Sequence, residues 1–292
     1  MKTEAQILRA TPGSPDVTFT FSNTVDQFLT GITQLYFTYG SSDHHVRTVT
    51  AGMSPSNSGV NVNVPVTMVL NDDSGHNISG SSYLDVGCIA ATGQNTNSSV
   101  QLTSALPFQS GGTSSAISLQ NNTFLNEPIM AGFDLSYGSD DHHVRRIFAK
   151  TAVSLQQGST AAITGSDNMY DDSGNSATTK TLEGSYLGTY INGADSGIVA
   201  VEQSFATGAP ATSIDLSGQT GGKPLTGAAV YLKSFDLSYE DDHHVEFIRA
   251  GASNVAFDGT TITFTPWAQM EDDGGRKASG SITLIIVGTV DA

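Results

Sequence analysis

The chain has 292 residues and a formal net charge of −16, from 12 Lys and Arg against 28 Asp and Glu. A phosphate backbone attracts proteins rich in Lys and Arg, so this charge balance argues against nucleic acid and against anionic membrane surfaces. Only 14% of residues are charged and 31 are glycine, a mix that favours β-structure with many turns over helix.

Strict alternation of apolar and polar residues marks half-buried strands. In the first hundred residues it predicts six, near 5–10, 16–22, 29–39, 45–52, 58–70 and 81–91. Val17, Phe19 and Phe21 alternate with threonines, and Val60, Val62, Val64 and Val66 with polar residues, mostly asparagines. Further on, Ile262 and Phe264 alternate cleanly; Ile282, Leu284 and Ile286 do so less cleanly. No segment carries a helical stripe. Cys88 is the single cysteine, so no intramolecular disulfide can form, and its setting LDVGCIA predicts a buried structural thiol. No run approaches the ~18 apolar residues of a membrane span, and MKTEAQILRATPGSPD has no apolar h-region. The expectation is therefore no membrane insertion and synthesis in a cytoplasm, with display outside the cell or on a virus particle left open.

Six of the seven histidines fall in three adjacent pairs, in SDHHV at 42–46, SDDHHV at 139–144 and DDHHV at 241–245. An acidic turn follows each pair at a nearly fixed distance: NDDSG from 71, YDDSG from 170 and EDDGG from 271. Two markers that keep register define three repeats, 1–94, 95–196 and 197–292, joined by polar Gly/Asn/Ser-rich stretches. The predicted fold is all-β: three tandem six-stranded antiparallel β-sandwiches, packed as a pseudo-threefold trimer with the His-pair loops at its three interfaces.

The runs FLTGITQLYFTYGSSDHHVRTVTAG, FLNEPIMAGFDLSYGSDDHHVRRIFAK and KPLTGAAVYLKSFDLSYEDDHHVEFIRAG, with the acidic turn and final apolar strand after each, resemble the H-type lectin domain over about 70–80 residues per repeat. The resemblance implies six-stranded antiparallel sandwiches that assemble in threes and bind N-acetylgalactosamine-type sugars near subunit interfaces. Carried over by position, it implies ligand contacts from Arg47 and Arg145, from His45, His143 and His244 beside them, and from Asp72, Asp73, Asp171, Asp172, Asp272 and Asp273. The sequence departs from the pattern in two places. Glu246 replaces the arginine in the third repeat, and the acidic pair stands where the family has an aromatic, with Trp267, kept as a ligand candidate, some five residues early.

The residues themselves leave several chemistries open. Adjacent residues of an extended segment point to opposite faces, so one histidine of each pair could face the acidic turn and the other a neighbouring repeat. His44, His142 and His243 are the candidates to converge as a trigonal transition-metal site. The alternatives are packing against neighbouring aspartates or ligand contact. Calcium at the acidic turns competes with a plain turn role for Asp, Ser and Gly. Tyr39, Tyr137 and Tyr239, at matched positions before the pairs, could offer rings for sugar stacking or be part of the core. NIS at 77–79 and NSS at 97–99 match the glycosylation acceptor pattern. No nucleophile elbow, HExxH or phosphate-binding glycine loop is present, so no catalytic role is expected. Two functions lead, a multivalent carbohydrate-binding or adhesion protein whose partners are glycans, and a structural module of a larger assembly such as a virus particle; a metal-dependent enzyme ranks last.

Overall fold

A computed structural model describes residues 2–93, 99–120, 122–156 and 159–292. The first repeat supplies β1 (Lys2–Ala10), β2 (Asp16–Thr20), β3 (Val25–Thr38), β4 (Thr48–Met53), the short β5 (Ser56–Ser58), β6 (Asn61–Asn71) and β7 (Tyr83–Thr92). The second supplies β8 (Val100–Gln109), β9 (Ile117–Ser118), β10 (Leu125–Ser136), β11 (Val144–Gln156), β12 (Thr160–Tyr170) and β13 (Thr179–Thr189). After the one-turn helix α1 (Gly193–Ser196), the third supplies β14 (Ile198–Ala206), β15 (Thr212–Asp215), a second helical turn α2 (Ser217–Thr220), β16 (Leu225–His243), β17 (Phe247–Asp258), β18 (Thr261–Glu271) and β19 (Ser279–Val290). The boundary at 94/95 and Asn97 of the NSS acceptor lie outside the described residues. No helix among the described residues is long and apolar enough to cross a membrane.

Where the sequence alternates, the structure does too. Val17, Phe19 and Phe21 are buried, as are Val62, Val64 and Val66. Val60, counted with that series, lies instead in the turn at Gly59 and is 37% exposed. That turn splits the expected strand 58–70 into β5 and β6. Gly59 adopts φ of 62° there, in the left-handed region that a residue without Cβ enters freely.

The strands form three antiparallel sheets, and each draws on two repeats. Their orders are β1-β7-β3-β17-β18-β15, β2-β6-β4-β10-β13-β8 and β14-β19-β16-β11-β12-β9. The seams between repeats are β3 with β17, β10 with β4, and β16 with β11. The order of partners is cyclic: the first repeat joins the third, the third joins the second, and the second joins the first. Each seam uses the C-terminal half of its long strand, after a register shift between Ile32 and Gln34, Met130 and Gly132, or Leu232 and Ser234. An extra residue in one strand bends it and re-aims its side chains. The same irregularity thus recurs in all three repeats, six residues before the matched tyrosine.

Two kinds of core result. A large cluster fills the space between the sheet halves of each repeat. A second cluster collects Leu29, Ile89, Ile129, Leu187, Tyr231 and Ile285, among others, from all three repeats. This explains why alternation is weak in the last strand of each repeat. In β19, Ile282, Leu284 and Ile286 face the first cluster while Ile285 and Val287 face the second. Cys88 is fully buried, and that burial raises its thiol pKa.

One buried acid is only partly offset, by Ser110 beside it and by the positive charge of Lys180. Asp167 on β12 is 2% exposed, and both its carboxylate oxygens lack a hydrogen-bond partner. Burial disfavours the charged form and pushes the group up to about 6 from an ordinary 3.8. Between those values the folded chain keeps a proton that the unfolded chain releases. The stability this group confers is therefore full below about pH 4 and lost as pH rises through 6. Asp167→Asn should raise stability at pH 7 by about 3 kcal/mol and change it little at pH 4, as measured by urea denaturation at both. An equal gain at both pH values would contradict this account.

Candidate functional site

The three His-pair loops meet, and backbone hydrogen bonds tie them together. His44 and Val245 exchange bonds of 3.1 and 2.9 Å, and Val46 and His142 exchange bonds of 2.9 and 3.0 Å. Val144 pairs with His243 to close the set. In each repeat the first histidine of the pair bridges to the valine of another repeat. Val46, Val144 and Val245 are buried at 1% exposure or less and anchor the loops in the core.

Because neighbouring residues of an extended segment diverge, the two histidines of a pair do different things. The second ones converge. The ring centroids of His45 and His143 lie 4.4 Å apart, those of His45 and His244 4.5 Å, and those of His143 and His244 4.8 Å. One ligand nitrogen from each lies within 4.8 Å of the others. The rings sit partly open to solvent, with His45 and His244 side chains 38% and 39% exposed. The Nδ1 atoms of two of them meet carboxylates from another repeat: His45 with Asp141 Oδ1 and His244 with Asp43 Oδ1, both at 3.2 Å. Asp242 holds the matching place and acts on His143 as a nearby charge. These carboxylates are fixed in turn, since Asp73 N donates to Asp141 Oδ2 at 3.2 Å and Asp172 N to Asp242 Oδ1 at 2.7 Å. His45 Nε2 is buried and has no partner. Burial first, and then the two neighbouring imidazoles, lower the pKa of His143.

The first histidines turn to the acidic turns of their own repeats. His44, His142 and His243 approach Asp72, Asp171 and Asp272 at 3.8, 3.5 and 3.3 Å. The sequence reading placed these three as the convergent set; the structure keeps them apart and brings their neighbours His45, His143 and His244 together instead. Each also packs edge-on to the matched tyrosine, with centroids 4.9, 4.7 and 4.9 Å apart for Tyr39, Tyr137 and Tyr239. Tyr137 and Tyr239 are buried, and Tyr39 donates to His45 O at 3.0 Å. Tyr137 and Tyr239 therefore offer no open ring face for stacking, and Tyr39 is half-buried against the core.

The aspartates expected as ligand contacts divide in the same way. Asp72, Asp171 and Asp272 are buried, and each accepts from the backbone N–H four residues on, at 2.8 Å in every case. The side chain at that later position differs. His76 Nδ1 lies 2.5 Å from Asp72 with its ring stacked on His44, Asn175 donates to Asp171 at 2.6 Å, and Arg276 Nη1 sits 3.1 Å from His243 Nε2. Asp73, Asp172 and Asp273 are exposed at the turn tips. Arg145 spends its guanidinium on Asp172, at 3.1 Å, and on Tyr239 O. Arg47 makes backbone bonds to Asn71 and Tyr137. Trp267 lies on β18, away from the acidic turn, donates to Ser253 Oγ at 2.8 Å and has Arg249 stacked 3.5 Å over its ring.

Among the described residues, two groups could hold a cation: His45, His143 and His244 at the junction, and His44, Asp72 and His76 in the first repeat alone. The aspartate immediately before each His pair is the neighbour the sequence offers for a histidine to bond against, and Asp141 and Asp43 do meet Nδ1 of a histidine from another repeat. The sequence reading missed the outer face of the first sheet. There Arg9 stacks 3.6 Å over Tyr83 and pairs with Asp85 at 2.7 Å, Tyr83 meets Tyr36 at 5.4 Å, and Arg249 lies between Tyr36 and Trp267. No single stretch of sequence carries this patch, because β1, β7, β3, β17 and β18 each bring one or two of its members. No family model matches the chain, and no curated protein matches it.

Proposed function

We propose that the protein is a non-catalytic structural building block, in which three sandwich repeats close around a pseudo-threefold axis to make one rigid body for a larger assembly such as a virus particle. The observation that carries this reading is the cyclic sharing of sheets. Every seam between repeats is an antiparallel ladder, so no repeat can swing independently without breaking main-chain hydrogen bonds. Most groups expected to grip a sugar at the loops are engaged in holding that body together: the buried aspartates cap their turns, Arg145 ties two repeats, and two of the converged imidazoles meet carboxylates of other repeats.

Glycan binding is the second reading, and the outer face of the first sheet favours it. Sugar sites combine flat apolar surface with fixed polar groups. Tyr36, Tyr83 and Trp267 supply the first, and Arg9, Asp85 and Arg249 the second. The matched seam pair is Tyr36 with Arg249 here, Asp134 with Thr50 in the second sheet and Asp236 with Phe148 in the third. Only one sheet carries the full patch, so this would be a single binding face.

A glycan array, run beside sedimentation velocity and electron microscopy over a range of concentrations, separates the two. The structural reading expects no saturable glycan signal and ordered higher-order particles. A saturable signal that disappears in Arg249→Ala combined with Tyr36→Ala, with no ordered assembly, would replace it by the second.

A further inference from the structure

We propose that His45, His143 and His244 together bind one divalent transition-metal ion of the zinc type, as a clamp with one ligand from each repeat. The argument begins with the donor set. Three neutral imidazoles suit zinc, nickel, cobalt or copper, whereas calcium and magnesium require oxygen. Metal-ligating histidines present one nitrogen to the metal and donate the other N–H to a carboxylate, a backbone carbonyl or water that fixes ring and tautomer. That second half is already built: Asp141 and Asp43 engage Nδ1 of His45 and His244 at 3.2 Å, and backbone N–H groups hold Asp141 and Asp242. Engagement of Nδ1 leaves Nε2 as the ligand atom, and in His45 this nitrogen is buried without a partner.

The distances require little movement. Three nitrogens on one zinc at about 2.0–2.1 Å stand roughly 3.3 Å apart in tetrahedral geometry. Here one ring nitrogen of each histidine lies within 4.8 Å of the others, so side-chain rotation that turns the Nε2 atoms toward one another closes the difference. Partial exposure of the rings leaves an entry path and an open fourth position for water. The surroundings are acidic, which attracts a cation.

The competing cluster of His44, Asp72 and His76 is less suited. His76 Nδ1 is already committed to Asp72 at 2.5 Å, and the two rings stack at 3.8 Å. It also occurs once, where the second repeat has Asn175 and the third Arg276. His76→Asn therefore copies a side chain the fold already accepts at the matched position, and it serves as the control.

The test titrates Zn²⁺ into the full chain, stripped of metal with chelator, by isothermal calorimetry, with Co²⁺ as a spectroscopic probe of coordination. One Zn²⁺ per chain is expected, with a Co²⁺ visible spectrum of tetrahedral nitrogen coordination and a melting temperature several degrees higher with metal than with EDTA. His143→Asn should abolish stoichiometric binding, Asp141→Asn should weaken it roughly 10–100-fold, and His76→Asn should leave it intact. NMR of the wild-type imidazole nitrogens, which needs no variant to fold, should show His45, His143 and His244 Nε2 shifting together on addition of Zn²⁺. No binding at micromolar Zn²⁺, full binding in a folded His143→Asn chain, or loss confined to His76→Asn would each overturn the proposal. The metal site and the structural role can fail separately, since assembly is read without metal and metal binding without assembly.

Discussion

Tyr231→Ala should cost about 3–5 kcal/mol, the range for truncating a large buried aromatic side chain, and Tyr231→Phe should be neutral or stabilising by about 1 kcal/mol. Tyr231 is fully buried in the core shared by all three repeats. Its matched positions, each eight residues before the tyrosine that precedes the His pair, are Gly31 and Ile129. These three residues meet. A Cβ at Gly31 would stand 2.2 Å from Ile129 Cγ2 and 3.0 Å from Tyr231 Cδ1. Gly87, paired with Gly31 across the ladder, would likewise place a Cβ 2.6 Å from the Tyr231 ring. One large, one medium and one absent side chain therefore fill a space that three tyrosines would overfill and three glycines would leave empty. Truncation leaves a cavity that rigid ladders on every side cannot collapse into. The hydroxyl, by contrast, is buried with no hydrogen-bond partner, and removing an unsatisfied polar group relieves its desolvation penalty. Equilibrium urea unfolding of the two variants beside wild type checks both signs. A loss below about 1 kcal/mol for the alanine variant would mean that the shared core is loosely packed.

That triplet also shows what was legible in the sequence. Most strand positions follow from period-two patterns such as VTFTF and NVNVPV, because a strand with one wet face must alternate. Sharing of sheets between repeats was not legible, since seam strands such as β4 and β17 pair with segments about 80 to 200 residues away and backbone hydrogen bonds leave no mark on side-chain pattern. The central core was half visible. ITLIIV at 282–287 broke alternation because both faces of β19 are buried, a pattern that marks a strand covered on two sides. At the junction, the three pairs stood out as a constellation, and the division of each pair between acidic turn and the other histidines follows from extended geometry. Which histidine goes which way did not, because one residue of phase in a loop is fixed by the valine that locks into the neighbouring repeat. Val46, Val144 and Val245 set that phase through their bridges.

The same ladders set the second large effect. Gly251→Ala should destabilise by about 3–5 kcal/mol, whereas Gly52→Ala should be within about 1 kcal/mol of wild type. Both glycines stand six residues after the valine of the HHV motif, on strands β17 and β4 that form seams, so they occupy one position of the repeat. Their backbones differ. Gly251 has φ of 116°, a conformation L-residues rarely adopt, and a Cβ there would lie 2.2 Å from Thr33 O and 2.6 Å from Gln34 Cα. Strain of that kind is worth about 1–3 kcal/mol, and the obstacle is backbone of the partner strand rather than a side chain that can turn aside. Thr33 is also the bulge residue of β3, so relief would have to shift the seam itself. At Gly52 the nearest atom to a new Cβ is Glu183 Oε2 at 3.7 Å, an ordinary contact. The pair of variants thus isolates backbone fit at one seam from helix or strand propensity, which both share. If the seam holds the first and third repeats together, Gly251→Ala should also raise amide exchange along β3 and β17 while sparing the β4–β10 ladder. Equal tolerance at both glycines would mean that the β3–β17 seam yields easily, and the rigid body on which the structural reading depends would be lost with it.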